Sequence, residues 1–144
     1  MTGHDNVQLI EEVEKAQKEN NWAKFSELHA PNVVLRSPDN PQPVTGRDNV
    51  VKWYRGFFEA FPDLTPKRGT TIAQGEWVCA EYVVTGTHKG PLPGPDGTPI
   101  PPTHKRVTIP NCSVYKVQNG KVVEVHEYFD LAGFMAQLGL GPSP

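Results

Sequence analysis

The sequence lacks the features of several common protein classes. Its 144 residues include two cysteines, Cys79 and Cys112, and neither stands in a closely spaced pair. A structural zinc site takes about four ligands at short spacing, so we expect ordinary thiols at both positions. No apolar run approaches the roughly 20 residues of a membrane span. The first residues also lack the basic end and apolar stretch of a secretory signal, which predicts a cytoplasmic protein with no membrane partner.

An excess of one charge is missing as well. The 14 basic and 16 acidic residues are well mixed and leave a net charge of −2, whereas a nucleic-acid-binding surface has a basic stripe. The sequence also lacks the glycine-rich nucleotide motifs, the GxSxG of serine hydrolases and the HExxH of zinc enzymes. We therefore expect no nucleic-acid partner, no bound metal and no nucleotide cofactor.

The residues that are present indicate one globular domain. The length of 144 residues is close to that of a single domain. A content of 37% hydrophobic and 21% charged residues is typical of a folded chain rather than a disordered one. Because the sequence contains no internal repeat and no change of composition that marks a boundary, residues 1–144 are predicted to form one domain.

Apolar residues recur at helical spacing in the first half of the chain. This pattern predicts three helices, over residues 5–20, 22–29 and 48–60. The third has a broad apolar stripe that includes Trp53, Tyr54, Phe57 and Phe58. Between the second and third helices, the sequence predicts a short strand at residues 33–35 and a loop over residues 37–46, which are rich in proline and asparagine.

The second half changes to the pattern of strands. Valine, threonine, tyrosine and isoleucine are frequent in residues 67–73, 76–88, 105–117 and 121–128, which predicts four strands. Asn119-Gly120 indicates a tight hairpin between the last two, because both residues accept positive φ. A short final helix is predicted over residues 131–138. Six prolines between residues 91 and 102 exclude a helix or inner strand there and predict a long, functional loop over residues 90–103.

Helices followed by a run of antiparallel strands indicate an α+β fold. We expect a cone-shaped α+β barrel, in which a curved, mostly antiparallel sheet is covered by about three amino-terminal helices. The short carboxy-terminal helix completes the fold. Such a cone encloses an apolar cavity, which is the usual place for a small hydrophobic ligand.

Five segments in this order resemble a known family. They are FPDL at residues 61–64, GTHKG at 86–90, PPT at 101–103, NGKVVE at 119–124 and QLG at 137–139. Together they resemble the SnoaL-like polyketide (ester) cyclases of the nuclear transport factor two-like superfamily, over roughly residues 7–140. The resemblance implies a homodimer or higher homo-oligomer. It also implies ring closure of a polyketide ester by intramolecular aldol condensation, without metal or cofactor.

The resemblance also points to a catalytic position. In the cyclases an aspartate on the last strand, in a His-x-Asp arrangement, takes a proton from carbon and returns one to the developing alkoxide. Alignment on Gly120-Lys121 places Glu127 at the aspartate and Val125 at the histidine, so the carboxylate is kept and its partner is lost. The related ketosteroid isomerases place their base before a proline on the early strand, where this chain has Ser37; this argues against isomerase chemistry of that kind.

The candidate site residues come from this resemblance and from strand alternation. Glu127 is the predicted acid/base, and Asp130 is the second candidate, although an aspartate just before a helix also caps free amides. Asn111 and Ser113 fall on an otherwise apolar strand face, so we expect them to line the pocket and position substrate oxygens. The other candidates for substrate binding are His88, Tyr54 and His126.

Two of these candidates have an alternative role. His88 precedes the proline-rich segment and could instead close its strand by bonding to the backbone. Neighbouring strand residues point to opposite faces, so His126 faces away from the cavity if Glu127 faces into it, unless a bulge intervenes. In that case His126 would pair with Glu124 or lie at a subunit interface.

The sequence leaves more than one function open. The leading expectation is a cofactor-independent, cyclase-like enzyme that acts on a small hydrophobic carbonyl compound. The absent partner histidine favours the alternative of a non-catalytic protein that binds a small hydrophobic ligand on the same fold. A related isomerase or hydrolase would need further carboxylates inside the cone.

Overall fold

The computed structural model describes residues 3–94 and 97–141. Within them lie four helices: α1 (Gly3–Lys18), α2 (Trp22–Glu27), α3 (Arg47–Ala60) and α4 (Leu131–Gln137). Each helix lies where helical spacing predicts it, with ends displaced by two residues or fewer. In this part of the chain no helix is long and apolar enough to cross a membrane.

Six strands form one curved sheet, and two short strands form a second sheet. The strands are β1 (His29–Ser37), β2 (Asn40–Thr45), β3 (Thr65–Gln74), β4 (Trp77–Thr87), β5 (Leu92–Pro93), β6 (Pro99–Ile100), β7 (Arg106–Gln118) and β8 (Lys121–Phe129). The larger sheet has the order β2-β1-β8-β7-β4-β3, and β5 pairs with β6. Only the β1–β8 pair is parallel among these described strands. The predicted α+β fold with a mostly antiparallel sheet is confirmed.

Residues 40–45 form a strand where the sequence predicts a loop. β2 pairs only with β1 and lies at the edge of the sheet. Pro41 and Pro43 lack amide hydrogens, and an edge strand tolerates this because no further strand bonds to its outer side. The strand predicted at residues 33–35 is also longer, with nine residues, because β1 is paired on both of its edges. The predicted proline-rich loop contains the β5–β6 hairpin, and its Pro95 lies outside the described residues.

The core lies between the first three helices and one face of the sheet. Ile10 of α1, Phe25 of α2 and Val50 of α3 are fully buried in one cluster with Val78 and Val125 of the sheet. The helical and strand periods of the sequence place these side chains on facing surfaces. The opposite face of the sheet carries exposed apolar side chains, which include Ile72, Val83 and Tyr128.

The predicted tight turn joins β7 to β8. Asn119 and Gly120 have φ angles of 52° and 71°, the left-handed values that a two-residue hairpin loop requires. Asparagine and glycine tolerate this conformation better than other residues, so the local sequence determines where the chain reverses.

A β-bulge follows this turn in β8. The pairing register shifts by one residue between Val117 and Lys116, and Val123 is left without a partner in the ladder. Beyond the shift, Ser113 of β7 lies opposite Glu127 of β8. Residues that are paired across antiparallel strands share a face, so Glu127 points to the same side of the sheet as Ser113.

Asp130 caps the final helix, as the sequence predicts. Its Oδ1 accepts a hydrogen bond from the Gly133 amide at 2.9 Å. A Cβ atom at Gly133 would collide with the Asp130 carboxylate, so the glycine allows the close approach of the cap. The capping carboxylate therefore fixes the position at which β8 ends and α4 begins.

We expect a cavity-forming substitution in the core to be costly. Leu35 of β1 is 0% exposed, so Leu35→Ala should lower the free energy of unfolding by about 2–5 kcal/mol, measured by urea denaturation. Leu140→Ala is the control, because Leu140 is 41% exposed and lies outside the sheet, so its truncation should cost much less. Equal losses in the two variants would contradict the burial of Leu35 in the core.

We expect the helix cap to depend on a side-chain acceptor at position 130. Asp130→Ala should lower the free energy of unfolding by about 1 kcal/mol, because one amide of the first turn loses its partner. Asp130→Asn retains an oxygen acceptor and should remain close to the wild type in the same urea titration. If the asparagine variant loses as much stability as the alanine variant, capping is not the role of Asp130.

Candidate functional site

A cavity lies between α3, α4 and the covered face of the sheet. Its volume of about 120 Å³ is on the order of ten times what one water molecule requires, so it has room for a ligand. Most of its lining is apolar. The lining residues are Gln17, Trp53, Tyr54, Phe57, Phe58, Phe61, Leu64, Pro66, Tyr82, Val84, Val107, Ile109, Asn111, Ser113, Tyr115, Glu127, Phe129 and Phe134.

One wall of the cavity is the aromatic stripe of α3. Trp53, Tyr54, Phe57 and Phe58 recur at helical spacing and all reach the cavity. Trp53 makes edge contacts with the rings of Tyr54 and Phe57, at centroid distances of 4.9 and 4.8 Å. Its indole Nε1 also donates to Oδ2 of Asp39 at 3.2 Å. The turn between β1 and β2 is thereby tied to this wall.

The opposite wall is formed by alternating residues of β7. Five residues in alternation, Val107, Ile109, Asn111, Ser113 and Tyr115, line the cavity, as the period of two in a strand predicts. The first two are apolar and the last three carry polar atoms. The cavity therefore has an apolar part and a polar part, and Glu127 lies at the polar part.

Glu127 is the buried carboxylate of the site. It is 6% exposed. Its Oε1 accepts hydrogen bonds from the Ser113 hydroxyl and from Nδ2 of Asn111, the latter at 3.2 Å. The Tyr54 hydroxyl donates to Oε2 at 2.6 Å. One helix and one neighbouring strand thus supply all three donors, which hold both carboxylate oxygens in fixed positions.

Burial dominates the acidity of Glu127. Loss of hydration raises the pKa of the carboxyl, and the donors Ser113, Tyr54 and Asn111 counteract part of this effect by stabilising the charged form. The pKa of Tyr54 is raised well above its ordinary value by burial and by the Glu127 charge, so this hydroxyl keeps its proton and acts as a donor. A carboxyl whose pKa is raised toward the working pH is better suited to both accept and return a proton.

The structure brings together four of the predicted site residues. Glu127, Asn111, Ser113 and Tyr54 form one hydrogen-bonded group inside the cavity. Among the described residues, no three histidine, cysteine, aspartate or glutamate side chains are placed to hold a metal ion. The arrangement is that of a single buried carboxyl, held by three neutral donors, next to an apolar cavity.

His126 and Asp130 are not in this group. The His126 side chain lies on the other face of β8, where Nε2 is 2.8 Å from Oε1 of Glu124 and the ring is 6.0 Å from that of Trp77. The bulge at Val123 precedes both positions, so His126 and Glu127 still alternate. Asp130 is exposed and used as a helix cap. Neither residue lines the cavity.

His88 is buried outside the cavity. Its ring stacks on Phe61 at a centroid distance of 5.3 Å, and its Nδ1 accepts a hydrogen bond from the Thr103 amide at 3.1 Å. The neutral ring therefore carries its proton on Nε2, which has no partner among the described residues. Because β4 ends at Thr87, strand alternation no longer controls the direction of this side chain. His88 fastens the proline-rich segment to the body of the protein.

The proline-rich segment does not line the cavity either. Leu92 and Ile100 pack in a second apolar cluster with Ala60, Phe61 and Phe134. The backbone amide of Gly90 bonds to the Ala60 carbonyl at 3.0 Å. The described part of this segment therefore packs on the end of α3, and the functional role predicted for the loop has no support from the cavity lining.

Tyr82 is the cavity residue that motif comparison misses. It lies on β4, is 6% exposed, and its hydroxyl is 3.3 Å from that of Tyr115. Alternation along β4, with Val78, Ala80 and Tyr82 all buried, is the signal that could have identified it. Burial raises the pKa of both tyrosines, so both hydroxyls remain protonated.

Comparisons with known proteins agree with this fold. A structure described as a candidate SnoaL-like polyketide cyclase from Jannaschia sp. CCS1 superposes with a TM-score of 0.85 and 22% identity, over 97% of this chain and 95% of that one. AclR from Streptomyces galilaeus, described as a candidate hydroxylase, has a TM-score of 0.81 and 26% identity, over 98% of this chain and all of that one.

A third solved structure is also similar. IdmH from Streptomyces antibioticus, described as a candidate polyketide cyclase, has a TM-score of 0.75 and 23% identity, over 92% of this chain and 97% of that one. A search of curated proteins finds no match. The sequence model of one family, described as SnoaL-like polyketide cyclase, matches residues 7–138. Because this match covers nearly the whole chain, the protein belongs to the SnoaL-like polyketide cyclase family.

Proposed function

We propose that this protein is a cofactor-independent acid/base enzyme of the cyclase type, acting on a small hydrophobic carbonyl compound. The observation that carries the proposal is the Glu127 carboxyl, which is 6% exposed and forms part of the lining of an apolar cavity. A general acid/base needs a pKa close to the working pH, and burial moves the pKa of this carboxyl in that direction.

The hydrogen bonds of Glu127 support a proton cycle. The ionised carboxylate would take a proton from the carbon next to a substrate carbonyl and later return it to the alkoxide formed by ring closure. Once Glu127 is protonated, it no longer needs the Tyr54 hydroxyl as a donor, and that hydroxyl can donate to a substrate oxygen. Tyr54 would thus orient the carboxyl in place of a histidine, since Val125 is buried in the core.

A binding protein without catalysis is the second candidate. No histidine is among the residues that line the cavity, and the hydrogen bonds to Glu127 come from neutral side chains. Such a site can hold an oxygen of a hydrophobic ligand without transferring a proton. The experiment below distinguishes this function from catalysis.

We also propose that the protein forms a homodimer through the open face of its sheet. Ile72, Trp77, Val83 and Tyr128 are exposed there, and large apolar side chains left exposed on one face of a sheet favour association. A second copy of the chain would cover it. Sedimentation that detects only monomers at micromolar concentration would contradict this proposal.

A cytoplasmic location is proposed on the basis of the cysteines. The sulfurs of Cys79 and Cys112 are 3.5 Å apart and both are free thiols, a state that a reducing compartment maintains. Burial raises the pKa of the Cys112 thiol to about 11, which also makes it slow to oxidise. Recovery of the protein in a secreted or periplasmic fraction would contradict this location.

We expect Glu127→Gln to remove the proton-transfer group while the side chain keeps its size and shape. In deuterated buffer, the wild type should accelerate hydrogen exchange at the acidic carbon of an aryl-substituted β-keto ester, followed by proton NMR. The variant should reduce kcat by about 10²- to 10⁴-fold with little change in KM, as expected when a general acid/base is removed. Glu124→Gln, on the same strand but the opposite face, is the matched control and should retain wild-type exchange.

The results distinguish the two functions. If the wild type and the Glu127 variant exchange the probe at the same rate, the acid/base assignment is wrong. If neither accelerates exchange but both shift the tryptophan fluorescence on binding the same ester, the protein binds rather than catalyses. Circular dichroism of the variant confirms that any loss is not caused by unfolding.

The raised pKa of Glu127 also predicts how stability depends on pH. The carboxyl has an ordinary pKa of about 4.3 in the unfolded chain, so the unfolded chain releases its proton at a lower pH than the folded protein. The stability that this group contributes is complete below the pKa of the unfolded chain and is lost as the pH rises through the pKa of the folded protein. Between these two pKa values, the free energy of unfolding of the wild type should fall relative to that of Glu127→Gln as the pH rises. Urea denaturation at several pH values measures this difference. A constant difference would contradict the raised pKa.

A further inference from the structure

A second group of polar atoms lies in the cavity, apart from the three donors of Glu127. Tyr82 of β4 and Tyr115 of β7 both line the cavity, and each is 6% exposed. Their hydroxyl oxygens are 3.3 Å apart, and this contact is the one hydrogen bond that either hydroxyl makes within the part of the chain that the structure describes. Neither tyrosine takes part in the proton cycle proposed for Glu127.

The two hydroxyls have more protons to donate than they use. Each hydroxyl has one proton, and both remain protonated at neutral pH because burial raises the pKa of each tyrosine. Within the pair, only one of the two protons can lie between the oxygens. The other makes no hydrogen bond to the described residues, although a buried polar group normally has a partner. An oxygen atom from a bound molecule would supply that partner.

The separation of the hydroxyls leaves room for such an atom. A hydrogen bond between two hydroxyls ordinarily joins oxygens about 2.5–3.0 Å apart, so the 3.3 Å contact between Tyr82 and Tyr115 is long. A third oxygen at about 2.8 Å from both would form a triangle with them and accept both protons. A carbonyl oxygen suits this position, because it has two lone pairs and no proton of its own.

The strand register places the pair beside Glu127. Ala80 of β4 is the register partner of Ser113 on β7, and Ser113 is the partner of Glu127 on β8. Tyr82 lies on one side of this row and Tyr115 on the other, so their hydroxyls meet close to the row, where the small side chain of Ala80 leaves space. The Glu127 carboxylate is bonded to Ser113, and adjacent strands are about 4.8 Å apart. A carbonyl group and its neighbouring carbon can span such an interval.

We propose that the hydroxyls of Tyr82 and Tyr115 form an oxygen-binding subsite, which takes one carbonyl oxygen of a neutral, hydrophobic ketone or ester. A carboxylate ligand does not fit, because no lysine, arginine or histidine is among the described residues that line the cavity and a buried charge needs such a partner. In turnover, the subsite would hold the carbonyl with its neighbouring carbon towards Glu127. That role rests on the proposed function, whereas binding of the carbonyl compound does not.

The test compares acetophenone with ethylbenzene, which has a methylene group in place of the carbonyl, in titrations followed by the NMR signals of the protein. Tyr82→Phe and Tyr115→Phe each remove one hydroxyl and keep the ring that lines the cavity. Each should weaken binding of acetophenone by about 2- to 10-fold, the range of one net hydrogen bond, and the double variant should weaken it further. Ethylbenzene accepts no hydrogen bond, so none of these variants should weaken its binding. Tyr128→Phe removes an exposed hydroxyl on the open face and should leave both affinities unchanged.

The subsite is overturned if the double variant binds acetophenone as tightly as the wild type, or if only Tyr54→Phe weakens that binding. A measurement on the wild type alone covers the case of a variant that does not fold. The carbonyl carbon of carbon-13-labelled acetophenone should move downfield on binding, relative to its position in cyclohexane, because a hydrogen bond withdraws electron density from it. A chemical shift equal to that in cyclohexane, or no saturable binding at millimolar concentration, also overturns the subsite.

The titrations use no turnover, so their outcome is separate from that of the exchange experiment. A wild type that binds acetophenone through the two tyrosines, but does not accelerate hydrogen exchange, contradicts the catalytic function and supports the subsite. Exchange that depends on Glu127, together with an unchanged ketone affinity in the double variant, supports the catalytic function and contradicts the subsite.

Discussion

The site depends on one constraint, the burial of a carboxyl among neutral donors. A charged group loses hydration when it enters an apolar space, and the loss is tolerable only if hydrogen bonds replace the water or a proton neutralises the charge. Glu127 has both options, because three side chains donate to its oxygens and burial raises its pKa. In the proposed function, the balance between these options would let a single side chain serve as acid and base.

The surrounding fold creates this environment by combining two periodicities. The aromatic stripe of α3 supplies the apolar wall and also Tyr54, while alternation along β7 supplies Asn111 and Ser113. The helix α3 therefore supplies one hydrogen-bond donor to Glu127, and the strand β7 supplies two. Val125 remains in the core, and the three side chains that donate to the carboxyl come from α3 and β7. The hydrogen bonds around Glu127 are compatible with both proposed functions, proton transfer and ligand binding.

Periodicity predicts the helices, the inner strands and the inward direction of Asn111 and Ser113, because these features follow from local spacing. It does not predict the edge strand β2, whose prolines indicate a loop when the strand pairing is unknown. It also fails for His88, since alternation ends with β4. The hydrogen bond from Tyr54 to Glu127 joins residues far apart in the chain, and no local pattern records such a contact. Family resemblance points to the candidate carboxylate, whereas its hydrogen bonds to Tyr54, Asn111 and Ser113 required the tertiary structure.

The bulge at Val123 decides which functional group the final strand presents to the cavity. With the register of the hairpin turn continued unchanged, Ser113 would face His126 instead of Glu127, and every later side chain of β8 would exchange faces. Loss of the bulge with no change of chain length would place an imidazole in the chamber and move the acid to the exterior, whereas deletion of Val123 itself would leave Ser113 opposite Glu127. A change of pairing register in one hairpin is therefore a route by which this architecture could exchange one ionisable group for another while its walls remain the same.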